Sequence, residues 1–261
     1  MMKNRHFLKI LFIIFISSFA FSFNNQNANA AQSKSVNDIL KSAANNFRAK
    51  TMYTETKMIL VRPSWKREIS MKSWSKSDDY TLVLITSPEK EKGITFLKRK
   101  KELWNWIPSI ERLVKLSSSM MGEAWMGSDF TNGDIIRDSS IEKSYKYKLD
   151  KTENIRGTNC YKVIFTAKEN AAVVWGQILT WISVDDYVQH KTEFYDEDNV
   201  LINTINAYDI KLFGKRKLAT RLEMIPESKP GYSTIMTIQK YEFEIPIKDS
   251  FFTQENMKVV K

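Results

Sequence analysis

From Thr51 onward, apolar residues recur at every second position in short segments, and this alternation leaves room for little but a β-sheet. The segments are 52–62, 66–75, 79–86, 93–99, 102–107 and 111–116, then 144–151, 159–167, 177–184, 187–195, 199–211, 217–225 and 233–244. Turn signals separate them. Arg62-Pro63-Ser64, Lys76-Ser77-Asp78-Asp79, Ser87-Pro88 and Pro108-Ser109 punctuate the first group. Asp185-Asp186 and Asp196-Glu197-Asp198-Asn199 punctuate the second. Many strands joined by short turns predict one antiparallel meander. A helix precedes it: residues 35–49 put Val36, Ile39, Leu40, Ala43, Ala44 and Phe47 on one face, and Ser35 with Asp38 fits a capping box. Alternation stops between 117 and 143. There Thr131 and Asp134 fit a second capping box, predicting a short helix over 132–137, while Ser117–Ser128 reads as either a helix or a flexible lid. No linker or internal repeat divides this body.

The first residues have a different task. Lys3, Arg5 and Lys9 precede the apolar run Ile10–Phe23, and Ala28-Asn29-Ala30 follows a polar stretch. A positive start, an apolar run too short for a membrane span and an A-x-A end predict a secretory signal peptide, 1–30, cleaved after Ala30. No cysteine stands at that junction to carry a lipid anchor. The expected product is a single exported domain, 31–261, placed in the periplasm. Loss of the leader's three cations lowers the net charge from +10 to +7. An exported chain meets no cytosolic nucleic acid, so the excess charge favours anionic membrane surfaces, with transient contact, or acidic partners.

Whole classes of chemistry are unsupported. One cysteine, Cys160, supplies neither a disulfide framework nor a Cys-rich zinc site. Of two histidines only His190 lies in the body, and its strand context VQHKTEF reads as structural. There is no G-x-S-x-G elbow, P-loop, H-E-x-x-H or EF-hand loop. No carboxylate pair is singled out by spacing, so a hydrolase with a dispersed carboxylate site is the weakest of the readings. The basic run Lys98-Arg99-Lys100-Lys101 is either a solvated hairpin tip or a contact for lipid headgroups or an acidic partner.

The informative block is 93–136, which gathers Trp104, Trp106, Met120, Met121, Trp125, Met126 and Phe130. Large rings and thioethers suit an adaptable apolar surface, and they suit an ordinary core equally. Trp104 and Trp106 share one strand face; Trp175 and Trp181 share parity in a second apolar stretch. Within this block, Glu102-Leu103-Trp104, Ile107-Pro108, Arg112-Leu113, Ser117-Ser118-Ser119, the run Trp125-Met126-Gly127-Ser128-Asp129-Phe130-Thr131-Asn132 and Asp134 resemble the exported outer-membrane lipoprotein-sorting proteins, the LolA-like family. The likeness covers about 82–136 and extends weakly to Phe243-Glu244-Ile245-Pro246 and Phe251-Phe252.

The resemblance implies a mainly β fold with some α: one antiparallel sheet curved into an incomplete, half barrel. The N-terminal helix and the central excursion cover its concave face, and an apolar cavity between them receives acyl chains. It implies no cofactor, no metal and no enzymatic reaction. The ligand-binding residues expected on this basis are Trp104, Trp106, Ile107, Leu113, Met120, Met121, Trp125, Met126 and Phe130. Trp104, Trp106 and Ile107 would form a wall, and 117–131 a cover. No arginine of this chain aligns with the one that latches the lid of the family's lipoprotein chaperone. The implied function is a periplasmic carrier that takes lipoprotein or lipid acyl chains and passes them to a membrane or a membrane-protein acceptor in the inner or outer membrane. An RND-type exporter is one such partner. The alternative is a binding module that senses a lipidated ligand, or sits beside an export pump, without moving cargo.

Overall fold

The computed structural model describes residues 34–261 except 48, 137–143, 170 and 172. The expected leader and its cleavage site lie outside the described residues. Helix α1 (Val36–Phe47) begins where the capping box places it: the Ser35 hydroxyl donates to Asp38 Oδ2 at 2.7 Å and accepts from the Asp38 backbone N–H at 3.2 Å. Ile39, Ala43 and Ala44 are its buried face.

Each of the thirteen alternating segments is a strand. The first six are β1 (Thr51–Arg62), β2 (Trp65–Lys76), β3 (Tyr80–Ser87), β4 (Thr95–Arg99), β5 (Glu102–Ile107) and β6 (Arg112–Lys115). The other seven are β7 (Tyr145–Ile155), β8 (Thr158–Ala167), β9 (Gln177–Ser183), β10 (Gln189–Tyr195), β11 (Leu201–Phe213), β12 (Arg216–Pro226) and β13 (Ser233–Phe243). All pair antiparallel in one sheet.

Their order corrects the single meander. It is β6-β5-β4-β3-β2-β1-β13-β12-β11-β10-β9-β8-β7, so two meanders are joined by the pairing of β1 with β13. The free edges are β6 and β7, the strands on either side of the 117–143 excursion. The sheet is therefore a curved, open one, and the excursion runs from one edge to the other. The edges are guarded: β6 is only four residues long, and β7 exposes Lys146, Lys148 and Lys151.

The excursion is more turn than helix. Ser118–Met120 and Trp125–Gly127 are single 3-10 turns, and α2 (Asn132–Ile136) follows. Thr131 caps α2, its backbone N–H and hydroxyl both donating to Asp134 Oδ2, at 2.5 and 3.0 Å. After β13, the tail forms a 3-10 turn at Asp249–Phe251 and a short helix, α3 (Gln254–Met257), capped by the Thr253 hydroxyl.

Two faces of the sheet carry separate cores. On the inner face, α1 lies against β12 and β7. There Ile39 and Ala43 pack with Phe130, Val163, Phe165, Trp175, Ile178 and Phe194. Beside them Met58, Leu60, Ile69, Ile85, Phe96, Leu103 and Trp125 form a second inner cluster, and Met236 touches both. On the outer face the tail packs Phe252 and Met257 against Leu82 and Leu97.

Candidate functional site: the covered inner face

Strand alternation sets the inner face. Along β1 the even residues from Met52 to Arg62 point inward, and pairing carries this parity outward through Thr54–Ser73, Met58–Ile69, Leu60–Thr234 and Met58–Met236. The result is an apolar floor of long, unbranched and β-branched side chains with Thr54, Thr56, Thr180, Thr192 and Thr220 set among them.

Residues 121–133 fold into a compact loop over that floor. The Trp125 N–H donates to the Phe130 carbonyl at 2.8 Å, Asn132 N–H to Glu123 at 3.0 Å and Gly133 N–H to Met121 at 2.8 Å. The Ser128 hydroxyl donates to the Trp125 carbonyl at 2.7 Å and accepts from the Phe130 N–H. Met126 and Gly127 both take left-handed backbone, which a glycine adopts freely. This tight turn sends Trp125 and Phe130 into different inner clusters. Phe96 meets Trp125 edge-on at 5.5 Å. Among the described residues, the buried indole N–H groups of Trp125 and Trp175 have no hydrogen-bond partner.

One buried ion pair pins the loop to the sheet. Arg62, the last residue of β1, donates to Asp129 Oδ2 at 3.0 Å, with both side chains more than nine-tenths buried. The same guanidinium donates to the carbonyls of Val61, Gly127 and Ser233. The Tyr232 ring lies 4.9 Å from it and the Trp65 ring 5.8 Å. Asp129 Oδ2 also accepts from the Thr234 hydroxyl at 2.6 Å, and that hydroxyl accepts from the Asp129 N–H. Every partner here is hydrogen-bonded, the condition under which a buried pair is tolerated. Sequence reading missed Arg62 because the pairing joins residues 67 apart, in a strand end and a turn, with no local pattern to link them.

The expected ligand residues do not all meet. Trp125, Met121 and Met126 are in the inner cluster of the N-terminal half, and Phe130 is in the neighbouring one. Met120 is half-buried, and its backbone carbonyl accepts from Asn132. Trp104, Trp106 and Leu113 lie on the outer face, packed with the C-terminal tail; Lys258 sits 5.3 Å from the Trp106 ring. Ile107 has the parity of buried Leu103 and is half-buried at the strand end. Trp175 and Trp181 also part company. Trp175 belongs to the inner core, whereas Trp181 is outward, between Lys162 and Lys191, with its N–H on Glu153. That hydrogen bond holds the Glu153 carboxyl below its usual range. Gly176, whose Cα approaches the Asp196 backbone too closely for a side chain, breaks the alternation between the two tryptophans.

A second apolar feature went unread in the sequence. Phe213, Tyr241 and Phe243 are half-buried on the inner face at the end of the sheet where α1 terminates. Tyr241 meets Phe213 edge-on at 4.9 Å and stacks on Phe243 at 5.6 Å, and the Arg216 guanidinium lies 4.6 Å from the Phe243 ring. Burial raises the Tyr241 hydroxyl above its ordinary pKa. His190 sits at an irregularity in β10, half-buried, and burial lowers its pKa. Among the described residues no cluster of His, Cys, Asp and Glu could hold a metal ion, and no helix is long and apolar enough to cross a membrane.

A family model described only as an uncharacterized-protein-like family matches residues 77–259, more than half of the chain. No curated protein matches. Among solved structures, a DUF1329 family protein from Desulfovibrio piger superposes with a TM-score of 0.76 at 20% identity, covering 84% of this chain and 96% of the other. A Vibrio parahaemolyticus domain named as an outer-membrane lipoprotein-sorting protein gives a TM-score of 0.73 at 19% identity, over 85% and 97% of the two chains. A LolA superfamily protein from Nitrosomonas europaea gives 0.70 at 21% identity, over 86% and 100%. The chain belongs to the uncharacterized-protein-like family of that model, and it shares its fold with a DUF1329 family protein and with LolA-like, outer-membrane lipoprotein-sorting proteins.

Proposed function

We propose that this chain is a periplasmic carrier that shelters the acyl chains of a lipoprotein or lipid on its inner face and hands them to a membrane or membrane-protein acceptor. It acts by binding and not by catalysis. The observation that carries the reading is an open apolar sheet face closed by a loop held through one polar anchor, Arg62–Asp129–Thr234. The Vibrio parahaemolyticus neighbour, named for outer-membrane lipoprotein sorting, supports the same reading.

The physics suits a carrier. Each methylene removed from water gains about 0.8 kcal/mol, so a long acyl chain gains on the order of 10 kcal/mol before ordering costs. Spontaneous release into water is then slow, and delivery needs direct contact with an acceptor. The proposed contact residues are Met121, Trp125, Met126 and Phe130 of the loop, above Met58, Phe96 and Met236. The buried indole N–H of Trp125 would supply a donor for an ester or amide carbonyl. A transfer assay tests the reading. Labelled lipid or lipoprotein leaves donor membranes with the protein and reaches acceptor membranes. Binding without delivery would make the chain a sensor, and absence of binding would refute the proposal.

A further inference from the structure

The two ends of the sheet differ in charge. Strand directions place the hairpins β2–β3, β4–β5 and β11–β12 on one rim, and β1–β2, β3–β4 and β10–β11 on the other. On the second rim, cations are neutralised by neighbours, as in Arg67–Glu91 and Lys92–Glu89, and Asp196, Glu197 and Asp198 add negative charge. The first rim also carries the β9–β10 turn with Asp185 and Asp186, the latter engaged by Lys217, but two of its tips are basic. At the β4–β5 tip Arg99, Lys100 and Lys101 are exposed and form no ion pair among the described residues; the adjacent Glu102 is engaged by Lys115. A surface cleft of about 610 Å³ opens beside this tip, lined by these cations together with Asp78, Asp79, Tyr80 and Glu102.

The β11–β12 tip, Lys211-Leu212-Phe213-Gly214-Lys215, has the same charge and adds grease. Lys211 and Lys215 are exposed and form no ion pair among the described residues, and Leu212 between them is 66% exposed, among the most exposed large apolar side chains of the described residues. Gly214 takes left-handed backbone, which turns the hairpin tightly enough to present Leu212 at its end. Its neighbour Phe213 begins the aromatic group Phe213–Tyr241–Phe243 that leads onto the inner face.

We infer that this rim is a docking surface for an anionic lipid bilayer. The two basic tips would lie among headgroups with Leu212 inserted, and the aromatic group would mark where an acyl chain passes between bilayer and inner face. Cations beside an exposed leucine match a surface that is anionic at the headgroups and apolar beneath them, which an acidic protein surface is not. The tips stand about 30 Å apart along the sheet at ordinary strand spacing, so one flat surface can meet both. The inference rests on the carrier reading for its purpose, though not for its geometry.

Flotation of the full chain, expressed with its own leader and purified from the exported fraction, tests it. Phosphatidylcholine vesicles with and without phosphatidylglycerol are compared at low and physiological salt. Binding should require phosphatidylglycerol and weaken with salt. Each neutralised cation should cost about fivefold, so Lys211→Gln with Lys215→Gln weakens binding about 25-fold and the Arg99→Gln, Lys100→Gln, Lys101→Gln triple about a hundredfold. Leu212→Ser should weaken it at both salt levels, and Lys90→Gln on the other rim should change nothing. Equal binding to both vesicle types, no binding at low salt, or rim variants that float like the parent would overturn the inference. So would capture of the protein by polyglutamate with no binding to anionic vesicles, which would make the partner an acidic polypeptide. Binding of a fluorescent fatty acid in solution is measured in parallel. Its absence would strike the carrier reading alone, and its persistence in the rim variants shows that they are folded.

Discussion

Arg62 is the side chain on which the loop's position depends. Its guanidinium satisfies Asp129 and three carbonyls from two strands and the loop, so removing it leaves a buried carboxylate and several acceptors without donors. Arg62→Ala should cost about 3–5 kcal/mol, whereas replacing the pair together by Met and Leu should recover most of that loss. Urea denaturation measures both, and hydrogen exchange should show protection falling first at the amides of residues 125–131. An Arg62→Ala protein as stable as the parent would show that other contacts hold the loop. His190 gives the molecule a pH response of known sign. Burial lowers its pKa below the ordinary 6.5, so the unfolded chain takes up the proton more readily than the folded one. Its contribution to stability is present above that ordinary value and is lost as pH falls below it. The urea midpoint of the parent should therefore drop between about pH 8 and pH 5 by more than that of His190→Gln. Equal slopes would mean that other groups set the response.

At the scale of elements, the outer face shows why tryptophans cannot be assigned from composition. Trp104 and Trp106 share a strand face, as their spacing requires, but that face is covered by the C-terminal tail, where Phe252 is fully buried. Phe252→Ala should destabilise the protein by about 3–5 kcal/mol while leaving acyl binding intact in the folded fraction. Thermal melting together with ligand titration checks this, and a loss of affinity at unchanged stability would place the ligand on the wrong side of the sheet here. The thirteen strands and α1 were legible because alternation and capping are local signals. Ser35 with Asp38 and Thr131 with Asp134 form the hydrogen bonds that their spacing predicts. The side to which each aromatic residue points was not legible across an irregular segment. The 3-10 turns at Pro108–Ile110 and Ser118–Met120 separate Trp125 from the strand parity of Trp104, and nothing periodic relates the tail to β3–β5.

The whole molecule is two meanders fused at β1 and β13, and this fusion decides where the sheet opens. A run of strands in sequence predicts neighbours in sequence; the contact between the first strand and the last is non-local and leaves no trace in the pattern of either. Its consequence is that the break in alternation between β6 and β7 links the two free edges, and its residues Met121, Trp125, Met126 and Phe130 pack onto the inner face. Curvature then gives that face one apolar half under α1 and another under the loop, with a basic rim at one end. A carrier of the proposed kind holds an acyl chain on its covered face in the cell. Mass spectrometry of the solvent extract from protein purified out of its native envelope tests this most directly. A near-stoichiometric lipid or acylated species should be found, and it should be released when Trp125 is replaced by Glu in a protein that still folds. An extract holding no such species, from protein that also fails to take up lipid on exposure to vesicles, would contradict it.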